Sequence, residues 1–313
     1  MTTSTPPSTP RCDPAFPPEL EREIFETAAK LYPQTIPSLF LVAHRVHEWR
    51  IQYKTITMRG IKSTCSWYAL KEIIRSDLRP KSFLRDVVRH IFLPPWDLTP
   101  SEEDLLQVFS VCTQIQSLAL FLPIGAAPLP STVQNAISAM KLQRLSLVSL
   151  EPLRDFLHLH RRMFGHVTHL ELWELGVMSW AIILDLFPSV THIAISAHKD
   201  CHRTVPSAGF GLSEEALAQC PQINVIIAIG RASIISDLVT GLGLQWQDPR
   251  LVFVKVDADA SWLEYEWTRG LAGEPDFWAE AETFVAKRRR EKDQSRVCAS
   301  LRCKEGSFIE MYE

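Results

Sequence analysis

Residues 198–202 read His-Lys-Asp-Cys-His, which puts nitrogen, oxygen and sulfur donors of the kinds that hold Zn2+ into one short stretch. A zinc site needs a second paired ligand set at a recognised spacing, and none follows; side chains of these types in a polar loop are ordinarily solvated. Cys298 and Cys303 form a CxxxxC pair that also lacks a matching pair. The sequence contains no GxSxG nucleophile elbow, no Gly-rich phosphate loop, no GxGxxG fingerprint and no HExxH zinc helix. The expectation is a chain with no metal, no cofactor and no catalytic residue.

Chemistry with a period appears elsewhere. His90, Ser117, Arg144, His169 and His192 occupy one place in five apolar-x-apolar segments: VVRHIFLP, IQSLALFLP, LQRLSLVS, VTHLELWE and VTHIAISA. Taking Ile91, Leu118, Leu145, Leu170 and Ile193 as equivalent gives steps of 27, 27, 25 and 23 residues. Alternation of apolar residues predicts a strand in each segment, and helical patterning over 102–111, 132–140, 153–163, 180–187 and 214–219 separates them. A unit of this size cannot bury its own apolar face, so neighbours must stack. The expected fold class is α/β, a curved β/α solenoid with a parallel sheet over residues 85–260. Strands at 223–229 and 251–256 continue it, the step from Ile193 to Ile226 lengthening to 33 around an exposed loop at 198–213.

Strand side chains alternate between faces. Leu118, Leu120, Leu145, Leu147, Leu170 and Leu172 then point into a core, and the residues between them form three columns on the opposite face. Phe121 and Trp173, flanked by Arg144, His169, Glu171 and His192, are the expected target-binding patch there; the alternative is that the loop at 198–213 or the C-terminal tail covers them. After Glu274-Pro275-Asp276, residues Phe277, Trp278, Ala281, Phe284 and Val285 make one face of a helix that caps the array. Lys287, Arg288, Arg289 and Arg290 form its charged end or, alternatively, a nuclear-import patch. A doubly wound α/β enzyme would share the strand and helix alternation but would add a reversal of strand order and a polar set at the strand ends.

At the other end of the chain, Pro17-Pro18-Glu19-Leu20 opens a helix at no hydrogen-bond cost, with Leu20, Ile24 and Phe25 on an i, i+4 stripe. Ile36, Leu39, Leu41, Val42 and Val46 follow. This pattern over 16–49 resembles the F-box, the helical motif that binds a Skp-type adaptor in cullin ubiquitin ligases. Ala43 stands where that family has Cys and Val46 where it has Trp, with Trp49 one turn later. With the periodic array behind it, the chain is similar to F-box proteins carrying leucine-rich repeats. The resemblance implies adaptor binding through Pro17, Pro18, Leu20, Ile24, Phe25, Ile36, Leu39, Val42, Val46 and Trp49, a cullin scaffold, and capture of a target protein by the array. A scaffold whose degenerate F-box no longer binds the adaptor is the alternative.

Composition bounds these readings. With 46% hydrophobic and 22% charged residues among 313, the chain has the make-up of a globular protein, and a net charge of −3 supplies no basic field for nucleic acid. The Ser/Thr/Pro-rich start, 1–15, reads as a disordered lead without the apolar middle of a signal peptide. No apolar run approaches the length of a membrane helix. Seven scattered cysteines are expected as reduced thiols, which places the protein in the cytoplasm or nucleus. The expected order of segments is thus a lead at 1–15, an F-box-like module at 16–55, connecting helices at 56–84, a solenoid at 85–260, and a capping helix with a tail at 261–313.

Overall fold

The computed structural model describes residues 17–32, 54–57, 65–77, 79–93, 100–121, 129–148, 164–172, 180–197, 220–231, 235, 248–256, 261–271, 274–291 and 298–299. Helix α1, Pro18–Leu31, has proline in its first turn and ends at Tyr32, the residue before Pro33, where a helical backbone is disfavoured. The rest of the described chain is built around one sheet of ten parallel strands: β1 (Thr55–Thr57), β2 (Cys65–Ser66), β3 (His90–Leu93), β4 (Ser117–Leu120), β5 (Arg144–Leu147), β6 (His169–Leu172), β7 (His192–Ala197), β8 (Val225–Gly230), β9 (Leu251–Lys255) and β10 (Cys298–Ala299). From β3 to β10 each strand lies beside the next in sequence; β1 follows β3 and β2 forms the edge, the one place where the order turns back.

The register is the one the periodicity predicts. Ile91, Leu118, Leu145, Leu170, Ile193 and Ile226 are successive partners across β3 to β8. A single backbone device recurs at each of the five steps from β3 to β8. The Arg89 carbonyl accepts from the amides of Gln116 and Ser117, Gln116 from Gln143 and Arg144, Gln143 from Thr168 and His169, Thr168 from Thr191 and His192, and Thr191 from Asn224 and Val225. Each strand from β4 to β8 is thus started by the residue that precedes its neighbour, and insertions between these strands leave the start point unchanged.

Parallel crossovers are right-handed, so strands that advance in one direction put all their connecting helices on the same face. That face holds α2 (Trp67–Arg75), α3 (Lys81–Val87), α4 (Glu102–Val111), α5 (Ser131–Ser138) and α6 (Trp180–Leu186). Trp67, Leu70, Leu84, Leu105, Phe109, Val133 and Ile183 pack there with Leu118, Leu120, Leu145, Leu147, Leu170 and Leu172 in one continuous core. Local signals set the helix starts. Ser66 caps α2 through the Ala69 amide, and Ser101 caps α4 through the Asp104 amide, followed by acidic Glu102, Glu103 and Asp104 in the first turn. Asp104 also receives Lys71 at 2.6 Å and Arg75 at 3.1 Å, tying α2 to α4.

The opposite face, which such topology leaves bare, is covered by the C-terminal helices α7 (Ser261–Leu271) and α8 (Phe277–Glu291). Phe92, Ala119, Phe121, Val148, Ala194, Ile227, Ile229, Val252 and Val254 pack beneath Trp267, Phe277, Trp278, Ala281 and Val285 as a second core. The apolar face foreseen for 277–285 is therefore buried, but α8 lies across the sheet rather than capping its end. Helix α7, and the strands β1 and β2 within a stretch expected to hold connecting helices, are additional elements. So is β10, which pairs with β9 and continues the sheet into the C-terminal tail. Cys112 and Cys220 are buried thiols, both with their pKa raised by burial, Cys112 to about 12.

Candidate functional site

Two places carry the residues that the sequence singles out. The first is α1. Its side chains at Leu20 and Ile24 are 44% and 47% exposed, and Phe25 is half-buried. Leu20 and Ile24 stand one turn apart on the same side of the helix, so they present a continuous apolar strip. Pro17 is exposed at the helix start. Ile36, Leu39, Val42, Val46 and Trp49 lie outside the described residues, as do Trp173 and the 198–202 cluster.

The second is the sheet face under α7 and α8. Phe121, Glu171 and His192 are 3%, 2% and 6% exposed, which corrects the expectation of an open patch. The cover is the C-terminal segment, one of the alternatives the sequence leaves open. Phe121 tilts against Phe92 at 5.6 Å, and Phe92 in turn meets Trp267 at 5.1 Å. Glu171 accepts from Ser146 Oγ at 2.8 Å and Ser196 Oγ at 3.2 Å. A carboxylate costs several kcal/mol to desolvate unless donors surround it, so the small hydroxyls on the two neighbouring strands are a condition of its burial. Ser146 is accordingly buried rather than solvated.

Polar clasps fasten the cover to the sheet. Asp276 receives Arg144 Nη1 at 2.8 Å and, through its other oxygen, caps α8 by accepting from the Ala279 amide at 3.0 Å. One carboxylate thus both starts the helix and docks it on β5. A methyl group at Gly270 would collide with that carboxylate, so only glycine lets α7 pass so close. Arg269 pairs with Glu266 of its own helix at 3.0 Å and joins α7 to α8 through Glu280 at 3.1 Å. Arg288, 3% exposed, donates to the Leu251 carbonyl at 3.0 Å; Lys287, Arg289 and Arg290 remain at the surface.

Where the first column passes beneath α8, His169 and His192 stack with ring centroids 4.3 Å apart and planes 6° from parallel. Their being partners on adjacent strands follows from the register. Trp278 stands edge-on to both, at 5.1 and 6.0 Å. Thr168 Oγ1 lies 2.9 Å from His169 Nδ1 and Thr191 Oγ1 2.8 Å from His192 Nδ1, while Glu282 Oε1 comes within 2.8 Å of His192 Nε2. Burial lowers the His169 pKa to about 3, helped by the nearby His192 and Arg144. His192 is lowered by burial too, against the opposing pull of Glu282. At the far end of the same column burial takes His90 to about 3, with Lys54, Arg144 and Arg89 adding to the effect. Glu282 is the residue that sequence spacing missed: it reaches the histidines only because α8 folds back over the sheet. No known family model matches this sequence, and no curated protein matches it.

Proposed function

We propose that this chain is a non-catalytic substrate-recognition subunit of a cullin-type ubiquitin ligase. The N-terminal segment binds a Skp-type adaptor, and the β/α array, read as a curved solenoid of leucine-rich-repeat type, holds a target protein. The observation that carries the first half is the exposed pair Leu20 and Ile24 on a proline-started helix. An apolar strip of this kind gains free energy only when a partner takes it out of water. The sequential strand order from β3 to β10 and the carbonyl device recurring from β3 to β8 support the second half. The chain would act by effective concentration, keeping a target lysine near a ubiquitin-loaded enzyme without supplying bond chemistry. Since Phe121, Glu171 and His192 face the protein's own helices, target recognition falls to other surfaces of the array.

The test is capture of a Skp-type adaptor by the intact chain and by a Leu20→Asp, Ile24→Asp double variant. Because both positions are nearly half exposed, the variant is expected to keep the wild-type melting temperature while losing the adaptor. Charge buried without a partner costs several kcal/mol, enough to abolish a micromolar complex. If the wild-type chain itself captures no adaptor, the reading fails and the interaction scaffold with a degenerate F-box replaces it.

A further inference from the structure

Among the described residues, the ligand-capable atoms of His169, His192 and Glu282 all lie within 4.8 Å of one another. Each imidazole is held at Nδ1 by the hydroxyl of the residue before it. With that oxygen accepting from Nδ1–H, the lone pair of a neutral ring is left on Nε2, the arrangement in which outer partners orient metal-binding histidines. His192 Nε2 then faces the Glu282 carboxylate at 2.8 Å, two acceptors that require a cation. Despite the short separation, Nε2 is a buried atom that makes no hydrogen bond of normal geometry.

We propose that His169, His192 and Glu282 form a site for a divalent transition metal ion of the Zn2+ type. Two imidazoles and one carboxylate make a donor set that Zn2+ accepts with a fourth position left open, whereas Mg2+ and Ca2+ prefer oxygen ligands throughout. Glu282, with its side chain 53% exposed, is the entry side. The positive charge of Arg144 opposes an incoming cation, and its ion pair with Asp276 offsets that charge. Stacked rings carry their Nε2 axes side by side. Two bonds of about 2.05 Å at a tetrahedral angle need nitrogens about 3.3 Å apart, so binding tilts the rings toward each other. The ion would cross-link β6, β7 and α8, holding the C-terminal cover onto the sheet, a role independent of adaptor binding.

The experiment titrates the tag-free full-length chain with Co2+, then Zn2+, beside Glu282→Gln and His169→Gln. The expected result is one equivalent of Co2+ with a visible d–d band but no thiolate-to-metal charge-transfer band, displaced by Zn2+, with a Zn2+-dependent rise in melting temperature. Each variant should weaken binding by more than about tenfold. Glu282 is exposed, so its variant should fold as the wild type does without metal and decides the matter even if the His169 variant does not fold. Thiolate charge transfer, binding and thermal shift unchanged in Glu282→Gln, or no saturable binding at micromolar Co2+ or Zn2+ would each overturn the proposal.

Discussion

His90 provides a direct measure of whether α7 and α8 cover the sheet in solution. Its ring is 7% exposed, edge-on to Trp267 at 6.3 Å, and the charged groups that bear on it, Lys54, Arg89 and Arg144, are all cationic. Burial lowers the folded pKa to about 3, against 6.5 for an ordinary histidine. A histidine kept neutral in the fold leaves the unfolded chain binding more protons below its ordinary pKa. Stability is then complete above that pKa and falls as pH drops toward the folded value. At pH 5 the unfolded chain has gained about 1.5 units of protonation free energy that the folded chain has not, which at 1.36 kcal/mol per unit is about 2 kcal/mol. His90→Phe retains an aromatic ring beside Trp267 and removes the titration. Urea denaturation at pH 8 and pH 5 should show the wild type losing about 2 kcal/mol more than the variant between the two conditions, whatever the variant costs at pH 8. Parallel profiles would mean that His90 titrates normally in the fold, and hence that water reaches this face.

Four further substitutions have defined expected outcomes. Leu147→Ala, in the core beneath the connecting helices, should cost about 2–5 kcal/mol in chemical denaturation. Ser146→Ala, on the opposite face, should not be neutral: it removes a donor from buried Glu171 and should cost about 1–3 kcal/mol, a loss that a silent result in the same assay would contradict. Asp276→Ala, which removes a helix cap and a partly screened ion pair, should cost about 2–3 kcal/mol, with Gly270→Ala about 1–3 kcal/mol through the collision with that carboxylate; hydrogen exchange should rise first in α8 if the clasp is placed correctly.

Much of the sheet was legible in the chain. Apolar alternation with a step of 23–27 residues is a local property, and parallel strands that share a start point must pair at equivalent positions, so Leu118 meets Leu145 and His169 meets His192 as the spacing implies. The three-residue strand at 55–57 and the two-residue strands at 65–66 and 298–299 were not, because segments that short carry no period; only pairing with an existing edge makes them strands. The amphipathic face of 277–285 was equally plain.

Where that face would go was not. A helix moment states that one side must be buried and leaves open against what, and a row of Phe92, Phe121, His169, Glu171 and His192 reads the same on an open sheet as on a covered one. The contacts that decide it lie far apart in sequence: Arg144 with Asp276, His192 with Glu282 and Arg288 with the Leu251 carbonyl. No sequence period links such pairs. They exist because one-directional strand advance stacks the described connecting helices on one face, and the C-terminal helices hold the bared face out of water. The strands and their register were written in local pattern, while the burial of the second face and the meeting of two histidines with a distant carboxylate were decided by tertiary closure.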